Sequence, residues 1–504
     1  MAVKRYWAQS DNTITNAFEE NLTTRGTGSN MGASDILEVF SIYGQAASSS
    51  AEESRVLLGF NTTGSTNSIK SDRTAGTIPA SGSVSFYLRM FNARHGQTLP
   101  KSYTLDVAAV SGSWNEGTGM DMELYKDKGY SNWGNRSSAI AWTAEGGDYR
   151  TDASSSFSAS FDSGVEDLEV DITPLVEQWI NSDGNVLGSK GDYGVGVFLS
   201  SEYSDQSRSY YTKKFFARGT EFHYKKPCIE ARWDSATKDD RGNFYYSSSL
   251  ATADENLNTI FLYNYFRGQL RNIPDIGQGN IFVTIYSGSS DDTVPGTESI
   301  TLVSDGTYVN SSISSTVITG GYVSTGIYSA SFAITAASTP ISTLYDVWHS
   351  SDLGTEYQTG SIKPKKINTS AIAPATQHVS TITNLKNIYR ADETARFRVS
   401  TRLKDWSPTI YTKATSVAEV NIVESGSYEV YRVVDDLKVV SYGTGSTLHT
   451  QMSFDVSGSY FDLDMDMLES GYMYGIRLAY YNNSVGSWVE QPQTFKFRVE
   501  SRQS

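Results

Sequence analysis

From Val84 to Met90 an apolar side chain stands at every second position, with Ser85, Tyr87 and Arg89 between them. Successive side chains of a strand point to opposite faces, so Val84, Phe86, Leu88 and Met90 share one surface. The same period of two returns in Tyr103-Thr104-Leu105-Asp106-Val107, in Thr394–Val399 and in Gln493–Val499. Ile36–Phe40, Arg55–Phe60, Gly194–Leu199, Thr259–Phe266 and Ile281–Tyr286 add runs of strand length. Clusters of Gly, Ser, Asn and Asp separate these runs, and such residues suit turns. Strands of this kind bury their apolar faces by pairing into sheets and stacking them. One stretch of the first half departs from the period. Thr173–Ile180 places Leu175, Val176, Trp179 and Ile180 on one helical face, with Thr173 as the expected N-cap and Pro174 at the first helical position. Ser182-Asp183-Gly184 is expected to stop that helix.

The chain has 504 residues, room for about two to four domains. Its expected divisions are an N-terminal arm or short strand over 1–12 and sandwiches over 13–235, 243–370 and 378–504, with a polar linker at 234–242 and a small-residue linker at 371–377. In the arm, Val3, Tyr6 and Trp7 are expected to dock on a neighbour. With 41 basic against 56 acidic residues the net charge is -15. Nucleic acid is not an expected partner, because phosphate binding needs concentrated Lys and Arg. The acidic surface also repels anionic membranes, and no apolar run is long enough to cross a bilayer. No apolar segment of signal-peptide type follows Met1–Trp7. Cys228 is the one cysteine, so no internal disulfide forms, and it is expected to be a small buried apolar group.

Regular alternation weakens from Ser111 to Gly164, a segment that holds Trp114, Trp133 and Trp142 among Gly, Ser, Asn and Asp. Long loops are either functional or packed by their own aromatics, and both readings stand. Asp121, Asp127, Asp148 and Asp152 lie there as well, and surface acids are the plainer reading of them. Asp462, Asp464 and Asp466 suggest a calcium loop, but Met467 and Met473 occupy the positions where an EF-hand needs Gly and Glu. A strand with Asp on its solvent face, turning at Glu469-Ser470-Gly471, explains them better. The histidines form no His-X-His or His-X-X-X-His pair. No Gly-X-Ser-X-Gly elbow and no phosphate loop occur. Glu116 lacks a recognisable second carboxylate for glycosidase chemistry. Neither a cofactor, a metal nor a catalytic residue is expected.

A set of motifs in fixed order carries a resemblance over the first half. Asn30–Val39, Arg55–Phe60, Trp114-Asn115-Glu116-Gly117, Trp133-Gly134-Asn135-Arg136 and Gly146-Gly147-Asp148-Tyr149 come first. Val170–Trp179, Tyr193-Gly194, Phe215–Arg218 and Pro227–Ala231 follow. The set resembles the DNRLRE β-sandwich family, related to carbohydrate-binding modules. That resemblance implies a jelly-roll-like sandwich. Further on, Gly320–Ile334 resembles the strand pairs of immunoglobulin-like modules, and Leu344–Trp348 is expected to bury its tryptophan. The expected fold class is therefore all-β, with tandem β-sandwiches: a jelly-roll-like N-terminal domain followed by two immunoglobulin-like domains.

The expected role is a non-enzymatic structural component of a tailed-bacteriophage virion, assembled in the host cytoplasm. It would sit at the neck, collar or tail, or decorate the capsid, in multiple copies packed on other virion proteins. The expected contact residues are Tyr6, Trp7, Trp114, Trp133 and Trp142. The alternative is an array of carbohydrate-binding modules on a fibre or spike, with a host-surface glycan stacked on those tryptophans. An accessory to a polysaccharide-active enzyme is the third reading.

Overall fold

The computed structural model describes residues 2–95, 100–120, 130–138, 140–181, 185–204, 207–252, 254–287, 316–334, 341–352, 354–365, 377–415 and 420–501. The chain is all-β and forms two compact units, Ala2–Asp234 with Gly445–His449, and Ser235–Thr444 with Thr450–Ser504.

The first unit contains β1 (Val3–Thr15), β2 (Ile36–Tyr43), β3 (Ala51–Phe60), α1 (Ile69–Thr74), β4 (Ser85–Met90) and β5 (Tyr103–Ala109). Next come the ribbon β6 (Asn135–Ser137) and β7 (Ile140–Ala141), then β8 (Ser156–Phe161), β9 (Leu168–Asp171), α2 (Thr173–Ile180), β10 (Val195–Leu199), β11 (Tyr210–Phe216) and β12 (Cys228–Arg232). The strands run β8-β5-β10-β3-β1-β12-β4-β9, with β2 between β3 and β11. β1 changes partner midway: Val3–Trp7 pair with β12, and after an irregularity at Ala8/Ser10 the rest pairs with β3. A strand that switches ladders at a bulge makes the corner of a sandwich. One core is shared by both ladders and includes Leu58, Phe86, Leu88, Met90, Leu105, Val107 and the α2 face Leu175, Val176, Trp179 and Ile180.

Two expectations change here. Of the short strand or arm expected over 1–12, the strand is what forms: Val3–Trp7 pair with β12 and Ala8–Asn12 with β3, and Val3 and Tyr6 are buried within the fold. Asp11 and Asn12 are polar, yet both find hydrogen-bond partners inside the fold. Thr173 is not the N-cap of α2. Ile172 holds that position without a side-chain bond, while the Thr173 hydroxyl donates to Asp171 (2.6 Å) and accepts from the Phe86 amide (2.8 Å), tying α2 to β4. The helix ends on Asn181 in the left-handed region (φ 42°), and Ser182-Asp183-Gly184 lies outside the described residues. α1 and β8 add elements that the sequence period did not announce, α1 through a capping box of Ser68 and Ser71.

The second unit begins with β13 (Asn258–Tyr263), the small hairpin β14 (Tyr265–Phe266) and β15 (Gln269–Leu270), then β16 (Ile281–Ser287), β17 (Val317–Ser324), β18 (Ile327–Phe332), β19 (Leu344–His349) and β20 (Glu356–Ile362). The order β13-β18-β17-β16-β19-β20 reproduces the B–E, C–C′, C–F and F–G pairings of an immunoglobulin-like sandwich. Trp348 on β19 is fully buried among Phe244, Ile260, Tyr328 and Phe332.

β21 (His378–Ile382), β22 (Ile388–Arg390), β23 (Thr394–Leu403), α3 (Ile410–Thr415), β24 (Gly426–Arg432) and β25 (Leu437–Val440) open the last sandwich. β26 (Ser453–Asp455), β27 (Gly458–Asp464), β28 (Met473–Asn482) and β29 (Ser487–Glu500) complete it. Its sheets, β21-β23-β27-β26 and β22-β29-β28-β24-β25, have the immunoglobulin orders A-B-E-D and A′-G-F-C-C′, with β22 parallel to β29. At the start of β28 the Tyr474 hydroxyl donates to the Glu469 carbonyl (2.8 Å), the tyrosine corner of such folds. Asp462 faces outward from β27, paired with Arg396 at 2.8 Å. The expected linker 234–242 is packed from Thr237 onward. Asp239 is buried, Lys238 bridges Phe454, and Arg241 pairs with the buried Asp346. Its charges looked solvated because their partners lie far off in sequence. The linker expected at 371–377 lies, but for Gln377, outside the described residues.

Candidate functional site

The segment after β5 is fastened to β1 by side-chain amides. The Asn12 Nδ2 donates to Ser131 O (3.0 Å) and Oγ (2.8 Å), and the Met31 amide donates to Asn12 Oδ1 (2.8 Å). The Asn30 Nδ2 donates to Glu116 O (2.6 Å) and Ser131 O (2.9 Å), while its Oδ1 accepts from Gly119 N. Gly32 passes so close that a Cβ there would lie 2.4 Å from the Glu116 carbonyl oxygen. Only glycine permits that approach.

Trp133 and Trp142 are 5% exposed and form a second core with Ile14, Leu57 and Val110. The Trp142 Nε1 donates to Asn132 O (2.9 Å). The Arg55 guanidinium lies 5.1 Å from the Trp133 ring and 5.3 Å from Phe198, within the range of cation–π attraction. Trp114 is half-buried against the same cluster, its Nε1 donating to Tyr193 O (2.9 Å). The three tryptophans are thus brought together, chiefly as packing groups. Tyr6 and Trp7 are not part of that cluster. Tyr6 is buried and donates to Asp72 (2.7 Å), and half-buried Trp7 lies against His223 and Tyr224. Asp121 and Asp127 lie outside the described residues. Asp148 accepts from the Thr143 and Ala144 amides, and Asp152 pairs with Lys190 at 2.6 Å.

Glu116 has a carboxylate neighbour, Asp11, that sequence spacing did not offer. Both are held by Arg218: its side chain reaches Glu116 (2.8 Å), and its amide donates to Asp11 Oδ2. The Asp11 amide donates to Glu116 as well (2.8 Å). Burial, with Glu116 alongside, pushes the Asp11 carboxyl up to about 6 against the pull of the Arg218 amide. Every one of these groups pins one segment to another. A larger cluster lies on β12. Glu230 accepts from Arg5 (2.7 Å), Arg89 (3.0 Å) and Arg232 (2.7 Å), and Arg232 also reaches Glu169 (2.7 Å). Burial alone would raise the Glu230 carboxyl, but Arg89, Arg5 and Arg232 hold it well below the carboxylate range. The signal for this cluster was present in Arg89 and in Glu230/Arg232, charges two apart in otherwise apolar strands. Cys228 beside it is fully buried, and burial pushes its thiol up to about 11. Among the described residues no three His, Cys, Asp or Glu side chains are placed to hold a metal. No helix among them is long and apolar enough to cross a membrane.

No family model and no curated protein matches the chain. Solved structures that overlap part of it include the N-terminal Ig1-2 module of the Drosophila receptor protein tyrosine phosphatase DLAR, at 8% identity and TM-score 0.14 over 49% of this chain and 92% of that one. A chimeric titin Z1Z2 tandem is similar at 12% identity and TM-score 0.15 over 49% and 91%. A marsupial T cell receptor matches at 10% identity and TM-score 0.15 over 52% and 72%.

Proposed function

We propose that the chain is a non-enzymatic structural component of a tailed-phage virion, attached at the neck, collar or tail, or on the capsid, and acting through protein–protein packing. The observation that supports this reading is how the chemically able groups of the first sandwich are used. Glu116, Asp11, Glu230 and the buried tryptophans are committed to internal partners, which suits a role exercised through shape and surface. Fold by itself carries no activity, so the particle assignment stands or falls on direct detection. Mass spectrometry of purified particles should find the chain in fixed ratio to other virion proteins; intact particles without it would refute the proposal. The carbohydrate-binding reading would gain if a glycan array retained the chain and Trp114→Ala abolished retention. Trp133 and Trp142 are too buried to offer a stacking face.

A further inference from the structure

The hairpin β14–β15 turns on Arg267 and Gly268, both with positive φ (52° and 79°). Asn and Gly are the usual occupants of such a turn, so an arginine there carries strain that a neutral choice would avoid. Tyr265 and Phe266 beside it are 57% and 56% exposed, and the Arg267 guanidinium lies 5.3 Å from the Phe266 ring. Neither Arg267 nor Arg271 forms an ion pair with a described residue. The base of the hairpin is fixed: Asn264 N donates to Gly326 O (2.8 Å), Arg271 N to Asn264 O (3.0 Å), and Asn264 Nδ2 to Arg271 O (2.6 Å). A rigid tip of two aromatics and two free guanidiniums has the composition of an interface anchor.

At the opposite end of β13 a cleft of about 650 Å³ opens in the same compact unit. Its lining carries four carboxylates, Asp240, Asp254, Glu255 and Glu424, against one cation, Lys238, with Tyr245 and Tyr246 as aromatic walls. Leu250, next to the lining residue Ala251, is 79% exposed. A phenyl ring and a guanidinium fit comfortably in that volume. β13 has six residues, roughly 20 Å of strand, so a short fixed hairpin cannot reach the cleft of its own chain.

We infer that the Phe266–Arg267 tip of one copy seats in the carboxylate-lined cleft of a second copy, joining this chain head to tail. Charge selects the arrangement: a cationic tip on a chain of net charge -15 meets its complement in the chain's own cleft. Burial and the neighbouring Glu424 push the Asp240 carboxyl up to about 6 despite the Thr259 amide it accepts from, a repulsion that an incoming guanidinium relieves. The contact is heterologous, so it builds rings or open rows rather than closed pairs. It is independent of where the chain is deployed, and an absence from virions would leave it standing.

The native cysteine is buried and unreactive, so paired cysteines report the contact directly. Mild oxidation of the full chain carrying Gln269→Cys, which keeps Phe266 and Arg267, and Ala251→Cys should give a ladder of covalent multimers, whereas each single variant stops at dimers. Adding Phe266→Ser should lower the ladder yield about ten-fold or more, as loss of an aromatic anchor does. Both tip positions are exposed, and circular dichroism of each variant checks the fold. A double variant that yields no more than the single ones overturns the inference. So does a ladder indifferent to Phe266→Ser. Co-sedimentation of the unmodified chain with phosphatidylglycerol vesicles, lost in Phe266→Ser, would also overturn it by giving the tip to a lipid surface.

Discussion

The first sandwich and the last one hold themselves together with the same kinds of contact in different balance. In the first, strands distant in sequence are bolted by buried ions and amides: Glu230 with three arginines, Glu116 with Arg218, and Asn12 and Asn30 with the loop carbonyls. In the last, one buried carboxylate, Glu429, is held by Arg477 (3.1 Å) and Lys438 (3.2 Å), and beside it an aromatic stack fills the core. Tyr428 and Phe461 lie 3.9 Å apart, Phe397 and Phe461 5.2 Å, and Tyr389 and Phe497 5.3 Å. Both solutions fill a core, but they fail differently. An aromatic stack loses contact area in proportion to what is removed. An ionic bolt that loses one partner leaves the others charged and buried.

Two substitutions of similar size break the comparison from either side. Glu230→Gln removes the buried charge that Arg5, Arg89 and Arg232 share in the first sandwich, leaving Glu169 as the carboxylate near Arg89 and Arg232, and should cost about 3–5 kcal/mol. Phe461→Ala opens a cavity in the last one and should also cost about 3–5 kcal/mol. Hydrogen exchange read by mass spectrometry should show the first loss in peptides of β4 and β12, and the second in β23 and β27. Acid separates them further. Glu230 is held far below 4.5, so its stabilisation is present above that value and lost as pH falls through its folded range. Glu230→Gln should therefore flatten the acid limb of unfolding, and Phe461→Ala should leave its shape unchanged.

A smaller effect sharpens the contrast within the second unit. Asp239 is buried with Asp455 and Asp346 nearby and Arg241 as its offset, and burial first of all pushes its carboxyl from 3.8 up to about 6. A carboxyl raised on folding stabilises in acid; the contribution is full below 3.8 and gone once pH has risen through about 6. Asp239→Asn should therefore stabilise the chain by about 1–2 kcal/mol at pH 7 and by little near pH 4. Denaturant titrations at the two pH values test this, and equal gains at both would count against it. The smallest expected effect is Tyr474→Phe. It removes one hydrogen bond to Glu469 O and should cost about 1 kcal/mol, seen as a lower midpoint with an unchanged denaturant slope.

Alternation made the strands legible because burial on one face imposes period two. Val84, Phe86, Leu88 and Met90 are all buried, as are Leu105, Val107, Phe397 and Val399. Trp348 was readable for the same reason, within an apolar run of its own. The immunoglobulin strand orders were less visible, since pairing is decided by long-range contacts. Polar positions misled most. Asp11 and Asn12 gave no sign of burial, and Lys238–Gly242 look like a solvated linker, because a sequence does not reveal that Ser131, Arg218 or Asp346 will arrive to satisfy them. The tryptophans announced a cluster without saying which way it faced. Burial of Trp133 and Trp142 depends on Ile14 and Leu57, more than seventy positions away.

The double pairing of β1 bears on how the first sandwich is made in the cell. Val3–Trp7 need β12 and Ala8–Thr15 need β3, so synthesis must pass Arg232 before the earliest strand is fully enclosed. Contacts of such wide separation slow folding, and meanwhile the unpaired edge of β1 is open to other chains. A ribosome that stalls before Cys228 should release a fragment whose first strand lacks its β12 partner and is prone to associate.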